Sequence, residues 1–493
     1  MGRRDALLRL SIMAALLLGG AMAPVFAADV KNLSVTVSFG TQANAYGGYT
    51  IEEGASALQN ALTLSGPAKV LGASAGGWSR WGNAEWNTLT IRLDEDGLLG
   101  PSDIVGGGVA ESEGGGAAVH NTVYIESGTV EGTVEGGVAV GINGVGDGTG
   151  DVLSNQVTMS GGTVYSVFGG ETGEGNANDN VVTIKGSAAV TGKSNAVYGG
   201  YTIDGNASGN IVNIEDDADI HGEIMGGYTR AGSLISGNKV NVTGGNVNEN
   251  TVYGVYTAYG DVLDNQAVIK GTGQAGSSDT NSVYAGFTNI GAAAGNILYI
   301  QDSAEIAGSA FAGYQGGFIS SETVERNQVF MSGGSVGGDL TGGGSNNGGE
   351  TLNNYVEITG GTVSGNVYSG FTDSADALEN TLTVAGGRVE GSLFGGYSNT
   401  GTANENKLTF SAGTAGSDAY GGYAQEGADG NEAVLSGTSV LEGNAAGGSS
   451  ARGEASGNSL TIKENSEVKS DAAGGDVYMG TISKNIITIQ YNA

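Results

Sequence analysis

The side chains that could support catalysis are few in this sequence, and they are spaced too far apart to suggest a shared site. The chain has no cysteine, and its two histidines, His120 and His221, lie about one hundred residues apart. Neither histidine lies beside a Gly-x-Ser-x-Gly segment of the kind that carries a serine nucleophile. A zinc site would need a cluster of histidine and cysteine ligands. The sequence therefore predicts a protein that is not an enzyme and that holds no metal or other cofactor.

Two acidic runs are the remaining candidates for chemistry. Residues 94–96 (Asp-Glu-Asp) and 216–219, which contain three aspartates, each follow a predicted strand. Clustered carboxylates cleave acidic polysaccharides in some β-helix enzymes, and their oxygens also bind Ca²⁺. A charge run at a turn is more often a solvated loop, and this is the interpretation we favour. A polysaccharide-acting lyase or hydrolase, and weak Ca²⁺ binding, are the alternatives.

Aromatic residues recur in the pattern aromatic-Gly-Gly-aromatic and form two series along the chain. The first series contains Tyr46, Phe168, Tyr198, Tyr253, Tyr284, Phe311, Tyr368, Phe394 and Tyr420. The second series contains Tyr49, Tyr201, Tyr228, Tyr256, Phe287, Tyr314, Phe371, Tyr397 and Tyr423. A separation of three residues places the two series on opposite faces of an extended strand, unless the Gly-Gly pair bends it.

One aromatic series is therefore expected to pack inside the protein and the other to face outward. An outward tyrosine stripe could stack on sugar rings or on a partner surface, whereas the alternative is packing alone. The residues proposed for binding are Tyr201, Tyr228, Tyr256, Tyr397 and Tyr423. The three tryptophans, Trp78, Trp81 and Trp86, all belong to the second repeat unit. Column packing is the default interpretation for them, and a small aromatic binding patch is the alternative.

A single repeat organises the elements that must position these side chains. Each copy runs from an asparagine through alternating apolar residues, a Gly-Gly pair, a short apolar segment, the aromatic-Gly-Gly-aromatic element and a polar loop. Most copies are 25 to 31 residues apart, and two steps span 34. The anchoring asparagines are Asn60, Asn87, Asn121, Asn155, Asn180, Asn210, Asn238, Asn265, Asn296, Asn327, Asn354, Asn380, Asn406, Asn431, Asn458 and Asn485.

Within a copy the apolar residues alternate with period two, as in residues 180–184 (Asn-Val-Val-Thr-Ile), which is typical of a short β-strand. The chain has 94 glycines, and glycine inside a helix is destabilising by about 1 kcal/mol relative to alanine. Stacking each copy on the one before lets equivalent strands pair in parallel. The sequence thus predicts an all-β solenoid of about sixteen coils, with three short strands per coil. We interpret the asparagines as an internal amide ladder, in preference to a ligand-binding column.

The N-terminus has the features of a secretory signal. Arg3, Arg4 and Arg9 precede an apolar run, and Ala27 ends a segment that suits cleavage. Residues 1–27 are thus a predicted signal peptide, with a membrane anchor as the alternative, and residues 28–493 are the predicted solenoid domain. The formal net charge of −32 argues against nucleic acid as a partner.

The repeated blocks resemble the passenger region of Gram-negative autotransporters, as in residues 180–201 and 354–371. The resemblance implies a right-handed parallel β-helix, secreted or displayed at the outer membrane, that serves adhesion, aggregation or biofilm formation. Its expected partners are a glycan or protein on a host or neighbouring cell, or another copy of the chain. Autotransporters end in a β-barrel translocator, which this chain lacks, and the chain stops partway through a copy at Ala493. The expectation is therefore a passenger domain that is truncated at its C-terminus, and the alternative is that the export pore is a separate protein. An outer-membrane translocator barrel is an expected partner in either case.

Overall fold

The computed structural model describes residues 29–490, except 102–103, 112–114, 142–147, 194–195, 249, 277–282, 318–320 and 347. The predicted signal peptide lies outside the described residues. The chain divides into two compact units. Unit 1 ends at Gly232, and unit 2 begins at Ser233. Both are all-β in their described parts and consist of coils stacked in parallel, with about 16 turns in the two units together. The predicted fold class is confirmed.

Four strand positions recur in each full coil, and we call them corner, first, second and third strands. The corner strands of unit 1 are Val30–Lys31, Ala57–Leu58, Ala84–Glu85, Ala118–Val119, Val152–Leu153 and Ala177–Asn178. Its first strands are Ser34–Val37, Ala61–Gly66, Thr88–Leu93, Thr122–Ser127, Gln156–Met159, Val181–Ile184 and Ile211–Ile214. Its second strands are Thr41–Gln42, Lys69–Val70, Leu98–Leu99, Ala189–Val190 and Asp219–Ile220. Its third strands are Ala45–Thr50, Ser74–Ser79, Val105–Glu111, Val197–Thr202 and Ile224–Thr229, and the second and third merge in Thr129–Val140 and Thr163–Glu171.

Unit 2 repeats this order. Its corner strands are Leu234–Ser236, Asp261–Leu263, Ala293–Ala294, Val324–Glu325, Thr351–Leu352, Ala377–Leu378, Ala403–Asn404, Gly427–Asp429, Glu454–Ser456 and Thr481–Ser483. Its first strands are Lys239–Val242, Gln266–Ile269, Ile297–Ile300, Gln328–Met331, Tyr355–Ile358, Ser459–Lys463 and Ile486–Gln490. First and second strands merge in Thr381–Val389, Lys407–Ala415 and Glu432–Leu441, and the separate second strands are Asn246–Asn248, Gln274–Gly276, Glu305–Ile306, Ser335–Val336, Thr362–Val363 and Glu467–Val468. Its third strands are Val252–Tyr259, Val283–Ile290, Ala310–Gln315, Leu340–Ser345, Val367–Thr372, Leu393–Ser398, Ala419–Ala424, Ala445–Ser450 and Ala472–Val477.

Strands of successive coils pair in parallel within each unit, residue over equivalent residue. Val182, for example, pairs with Val212, and Leu382 pairs with Leu408. The three strands expected per coil are the first, second and third strands. The corner strand is a fourth segment that the sequence did not reveal, because two residues are too few to show alternation.

The core of each coil consists of the inward residues of all its strands, including those of second strands such as Val190 and Ile220. Val182, Ile184, Val212 and Ile214 are fully buried. Burial of each such side chain contributes about 1.5–3 kcal/mol before the entropy of ordering the chain is subtracted. Because every coil repeats the pattern, these residues form continuous apolar columns within each unit.

The predicted asparagine ladder is present in both units. Asn380 donates from its backbone N–H and from Nδ2 to Oδ1 of Asn406, each at 3.0 Å. Its Nδ2 also donates to the carbonyl oxygen of Thr351 at 2.9 Å, and its own Oδ1 accepts from Asn354 in the same way. The same contacts join Asn60 to Asn87 in unit 1. The ladder therefore satisfies buried amide groups that would otherwise be unpaired.

In most coils the third strand carries a Gly-Gly pair that lies close to this ladder, whereas four coils of unit 2 place Ala285, Ala312 or Ser369 at the first position or Val255 at the second. A Cβ on Gly396 would overlap the side chain of Asn406. A Cβ on Gly395 would overlap the carbonyl oxygen of Gly421 in the next coil. The first glycine of each pair is also skipped in the strand register, as Gly395 is between Phe394 and Gly396. The pair thus bends the strand and leaves room for the ladder amide.

A left-handed backbone conformation precedes every ladder asparagine in the described coils. Glycine occupies this position in five coils, with φ between 65° and 68°: Gly209, Gly237, Gly295, Gly430 and Gly457. The other coils place a residue with a side chain there, with φ between 54° and 58°: Gln59, Trp86, His120, Ser154, Asp179, Asp264, Arg326, Asn353, Glu379, Glu405 and Lys484. Such a φ is unfavourable for residues with a Cβ.

Candidate binding surface

Both aromatic series lie on the same outward face of the third strands. Val197 and Thr202 of the third strand are buried, whereas Tyr198 and Tyr201 between them contact each other with ring centroids 5.5 Å apart. The expectation that the two series lie on opposite faces, one of them inside, is wrong. The Gly-Gly pair bends the strand between the two rings, and the bend returns the second ring to the side of the first.

The five tyrosines proposed for binding are each half-buried within these columns: Tyr201, Tyr228, Tyr256, Tyr397 and Tyr423. Tyr201 and Tyr228 stack with centroids 4.8 Å apart and ring planes 6° from parallel. Tyr397 and Tyr423 do the same at 5.3 Å and 10°. The first column is the more buried in places, since Tyr198 is only 1% exposed.

Stacking determines which part of each ring a partner could reach. The faces of a ring within a column are covered by the rings of the coils before and after it. A partner can therefore reach only the outer edge of the ring and, in a tyrosine, the hydroxyl group. Burial and neighbouring tyrosines raise the pKa of Tyr201 to about 12, and burial and Tyr49 raise that of Tyr46 to about 12. These phenols stay protonated at neutral pH. The columns therefore present a row of ring edges with hydroxyl donors, and they do not present open platforms for stacking.

The aromatic columns of unit 1 are interrupted between Trp78 and Phe168. Trp78 packs in a buried cluster with Ala75, Val109 and Val138, against the rings of Tyr46 and Tyr49. The two coils that follow the Trp78 coil place Val109 and Val138 in the second column.

Two glutamates occupy the columns at this interruption. Glu135 takes the first-column position in register with Phe168, and Glu171 takes the second-column position in register with Tyr201. Glu135 is 1% exposed, and its side chain hydrogen-bonds that of Glu171. Burial raises the pKa of Glu171 to about 7, although the bond from Glu135 opposes this rise. A hydrogen bond between two carboxyl groups needs a proton, so the pair holds one near neutral pH.

Sequence reasoning missed this carboxyl pair. The two glutamates are 36 positions apart in the sequence and belong to no acidic run. Alignment of the copies on their Gly-Gly pairs would have found them, because it puts both glutamates at aromatic positions.

In unit 2 the columns are interrupted at one coil, where Thr341 and Gly344 replace the two rings. The ring of Tyr314 occupies part of this space. A Cβ placed on Gly344 would lie only 2.9 Å from Cδ2 of Tyr314. Tyr314 is tilted by 57° from the ring of Phe311, and Thr341 is 2% exposed. The interruption is therefore closed by the neighbouring ring.

The two acidic runs lie at exposed turns, where their carboxylates cap the backbone. Asp94 Oδ1 accepts a hydrogen bond from the N–H of Asp96 at 3.0 Å, and Asp216 Oδ2 accepts one from Gly186 at 3.1 Å. Asp219 contacts His221 at 2.9 Å. Within the described ranges, no three His, Cys, Asp or Glu side chains come together as a metal ion would require.

His120 and the tryptophans occupy different environments. Trp78 is 6% exposed, and Trp81 lies 5.9 Å from the guanidinium of Arg80. Trp86 is 56% exposed and stacks on His120, with centroids 4.1 Å apart and planes 28° from parallel. The exposed tryptophan therefore lies on the corner of its coil, away from the aromatic columns.

Comparison with known proteins leaves the family open. The chain matches no protein-family model, no curated protein and no solved structure. Among the residues that the structure describes, no helix has the length and apolar character needed to cross a lipid bilayer.

Proposed function

We propose that this protein is an autotransporter-like passenger, secreted or held at the cell surface of a Gram-negative bacterium, that acts as an adhesin or a structural surface module. The observation that carries the proposal is the pair of outward aromatic columns. They repeat outward ring edges, many of which carry a hydroxyl group, over runs of consecutive coils in each unit. A repeated surface suits many weak contacts to a glycan or protein on another cell, or to a second copy of the chain.

The scaffold beneath the columns supports a static role. Each coil is held by parallel strand pairing and a buried amide ladder, and most coils also carry glycines that lie too close to their neighbours for a side chain. Such a surface keeps its ring spacing, and a rigid aromatic side chain loses little conformational entropy on binding. The acidic character of the chain, with a net charge of −32, favours neutral or basic partner surfaces.

The test replaces three successive rings of the second column in unit 2. Phe371→Ser, Tyr397→Ser and Tyr423→Ser together remove the edges without touching the ladder. Cells that display the variant are expected to lose adhesion or aggregation, while the variant reaches the surface in the normal amount. The matched control carries Tyr397→Phe and Tyr423→Phe, which keep the rings. Unchanged adhesion of the serine variant, with its circular dichroism intact, would refute a role for these columns.

A polysaccharide-acting lyase or hydrolase is the second candidate, and one observation favours it. The Glu135–Glu171 pair holds a proton near neutral pH, as a general acid would. Its position argues against substrate access, because Glu135 is 1% exposed. Release of reducing ends or unsaturated sugars from a panel of polysaccharides, lost in Glu171→Gln, would establish the enzyme.

A further inference from the structure

Trp86 combines two unfavourable features at one position. Its side chain is 56% exposed, and its backbone has a φ of 58°, in the left-handed region. Bulky residues are rarely found in that region. Five other coils place glycine at the equivalent position, directly before the ladder asparagine. The fold therefore does not need a tryptophan here, and Trp86 is the largest of the eleven side chains that take this conformation before a ladder asparagine.

The indole is held in a defined orientation by the next coil. His120, which occupies the same position one coil later, stacks on one face of Trp86 at 4.1 Å. On the other side, the equivalent residue is Gln59, an exposed side chain without a ring. One face of the indole is thus supported by an imidazole, and the residue at the stacked position on the other side, Gln59, is an exposed and flexible side chain. This differs from the tyrosines of the columns, whose faces are covered on both sides.

Polar groups flank the indole on its own corner strand. The carboxylate of Glu85, the preceding residue, accepts a hydrogen bond from Nδ2 of Asn83 at 2.8 Å. Both side chains are part-buried and so are partly held in place. An exposed indole next in the chain to a carboxylate that an amide holds supplies the two kinds of group that bind a pyranose. The C–H face of the sugar packs on the indole, and its neighbouring hydroxyls donate to the carboxylate and accept from the amide.

We propose that Trp86, supported by His120 and flanked by Glu85 and Asn83, is a binding platform for a neutral pyranose ring of a glycan. Neutral sugars fit better than acidic ones, because Glu85 lies beside the indole and the whole chain carries a charge of −32. This inference rests on the proposed function in one respect, because the proposed function includes a glycan among the partners of this protein. A single platform of this size binds one sugar weakly, with a dissociation constant in roughly the millimolar range.

The central test is Trp86→Gly in the full chain. Glycine is the residue that other coils use at this position, so the thermal unfolding temperature should be unchanged or raised. Binding of neutral hexose and N-acetylhexosamine oligosaccharides, followed by tryptophan fluorescence for the wild type and by calorimetry for all variants, should weaken at least tenfold. A hexuronate oligosaccharide should bind neither protein. Gln59→Gly, at the same position one coil earlier, is the matched control and should bind like the wild type.

A second variant separates the platform from a structural role. Glu85→Gln keeps the ring and the side-chain shape, and it should weaken sugar binding several-fold without a change in unfolding temperature. The proposal is overturned if the wild type binds no neutral sugar, if Trp86→Gly binds as well as the wild type, or if Trp86→Gly lowers the unfolding temperature. Capture of a protein partner through Trp86 without sugar binding would overturn it too.

The adhesion assay distinguishes this inference from the proposed function. If Trp86→Gly loses sugar binding while cells still adhere, the platform stands and the aromatic columns supply the adhesive surface. If the serine variant of the columns adheres normally while Trp86 binds sugar, the columns have no role and the platform again stands.

Discussion

At the residue scale, one asparagine per coil performs three hydrogen-bonding tasks at once. Asn380 donates from its backbone and side chain to the next asparagine, donates to a corner-strand carbonyl, and accepts from the preceding coil. Neither a carboxylate nor a hydroxyl could supply the same set, because only a side-chain amide both donates twice and accepts. This explains why the residue type, and not only its polarity, recurs.

Asn380→Ala should therefore destabilise unit 2 strongly. The change leaves the Asn354 donors without an acceptor and the Thr351 carbonyl without a donor, in a fully buried site. Each buried group left unpaired is destabilising by about 1–3 kcal/mol, so the three groups together should give a loss of about 3–9 kcal/mol in chemical denaturation. Asn399→Ala, at an exposed turn of the same coil, is the control and should change stability little. Equal effects of the two substitutions would contradict the ladder's role.

The Glu135–Glu171 pair makes stability depend on pH. The pKa of Glu171 is raised from 4.5 to about 7 in the folded protein, so folding favours its protonated form. The contribution of Glu171 to the free energy of unfolding is therefore fully present below pH 4.5. It is lost as pH rises through 7, and the protein loses about 3 kcal/mol of stability. Glu171→Gln should be more stable than the wild type at pH 8, and the difference should shrink at pH 4.

Thermal unfolding from pH 4 to pH 8 measures this effect. Glu350→Gln, a substitution of an exposed carboxylate, provides the control and should follow the wild-type profile. A Glu171→Gln profile that is parallel to the wild type throughout would show that the pair does not titrate in this range.

At the element scale, the third strand is shaped by two glycines with different neighbours. The first glycine meets the backbone of the next coil, and the second meets the ladder amide, as Gly395 and Gly396 do. The bend between them places both aromatic residues on the outer face. The third strand is therefore bent between its two glycines and does not alternate regularly. Its ends contribute to the core, and its two aromatic residues lie on the outer face.

Gly396→Ala should disrupt its coil, because the new methyl group would overlap the Asn406 side chain. The loss should exceed about 3 kcal/mol, since the ladder asparagine must move to relieve the overlap. Gly427→Ala is the matched control, because the nearest atom to its Cβ would be 3.6 Å away and its φ is not left-handed. Urea unfolding of both variants measures the contrast, and a tolerated Gly396→Ala would show that the strand can shift.

At the scale of the whole molecule, charge is the dominant unbalanced feature. The chain has 51 acidic and 19 basic residues, and the ion pairs among its described residues lie at the surface. Exposed pairs contribute little, so repulsion among the surplus carboxylates opposes the compact state. Within each unit a coil contacts only its neighbours, and stability is then close to a sum over coils and their interfaces.

Salt should therefore stabilise the protein. Raising the ionic strength from about 10 mM to about 150 mM shortens the screening length from about 30 Å to about 8 Å, which weakens the repulsion. The thermal unfolding temperature should rise, and NaCl and KCl should act alike, because screening does not depend on the identity of the cation. No rise, or a rise with only one salt, would point to a different balance of charges or to a specific ion.

The repeat in the sequence determined the fold class, the ladder and the coil boundaries. These follow from local patterns, since period-two alternation and a recurring asparagine such as Asn380 leave stacked parallel coils as the arrangement that satisfies the buried groups. The candidate surface needed the tertiary structure. Whether Tyr198 and Tyr201 share a face depends on the bend at Gly199 and Gly200, and strand pairing alone brings Glu135 to Glu171. The backbone conformation at Trp86 also needed the structure, because the stacked coils impose it on glycine in five coils and on residues with a side chain in the other eleven.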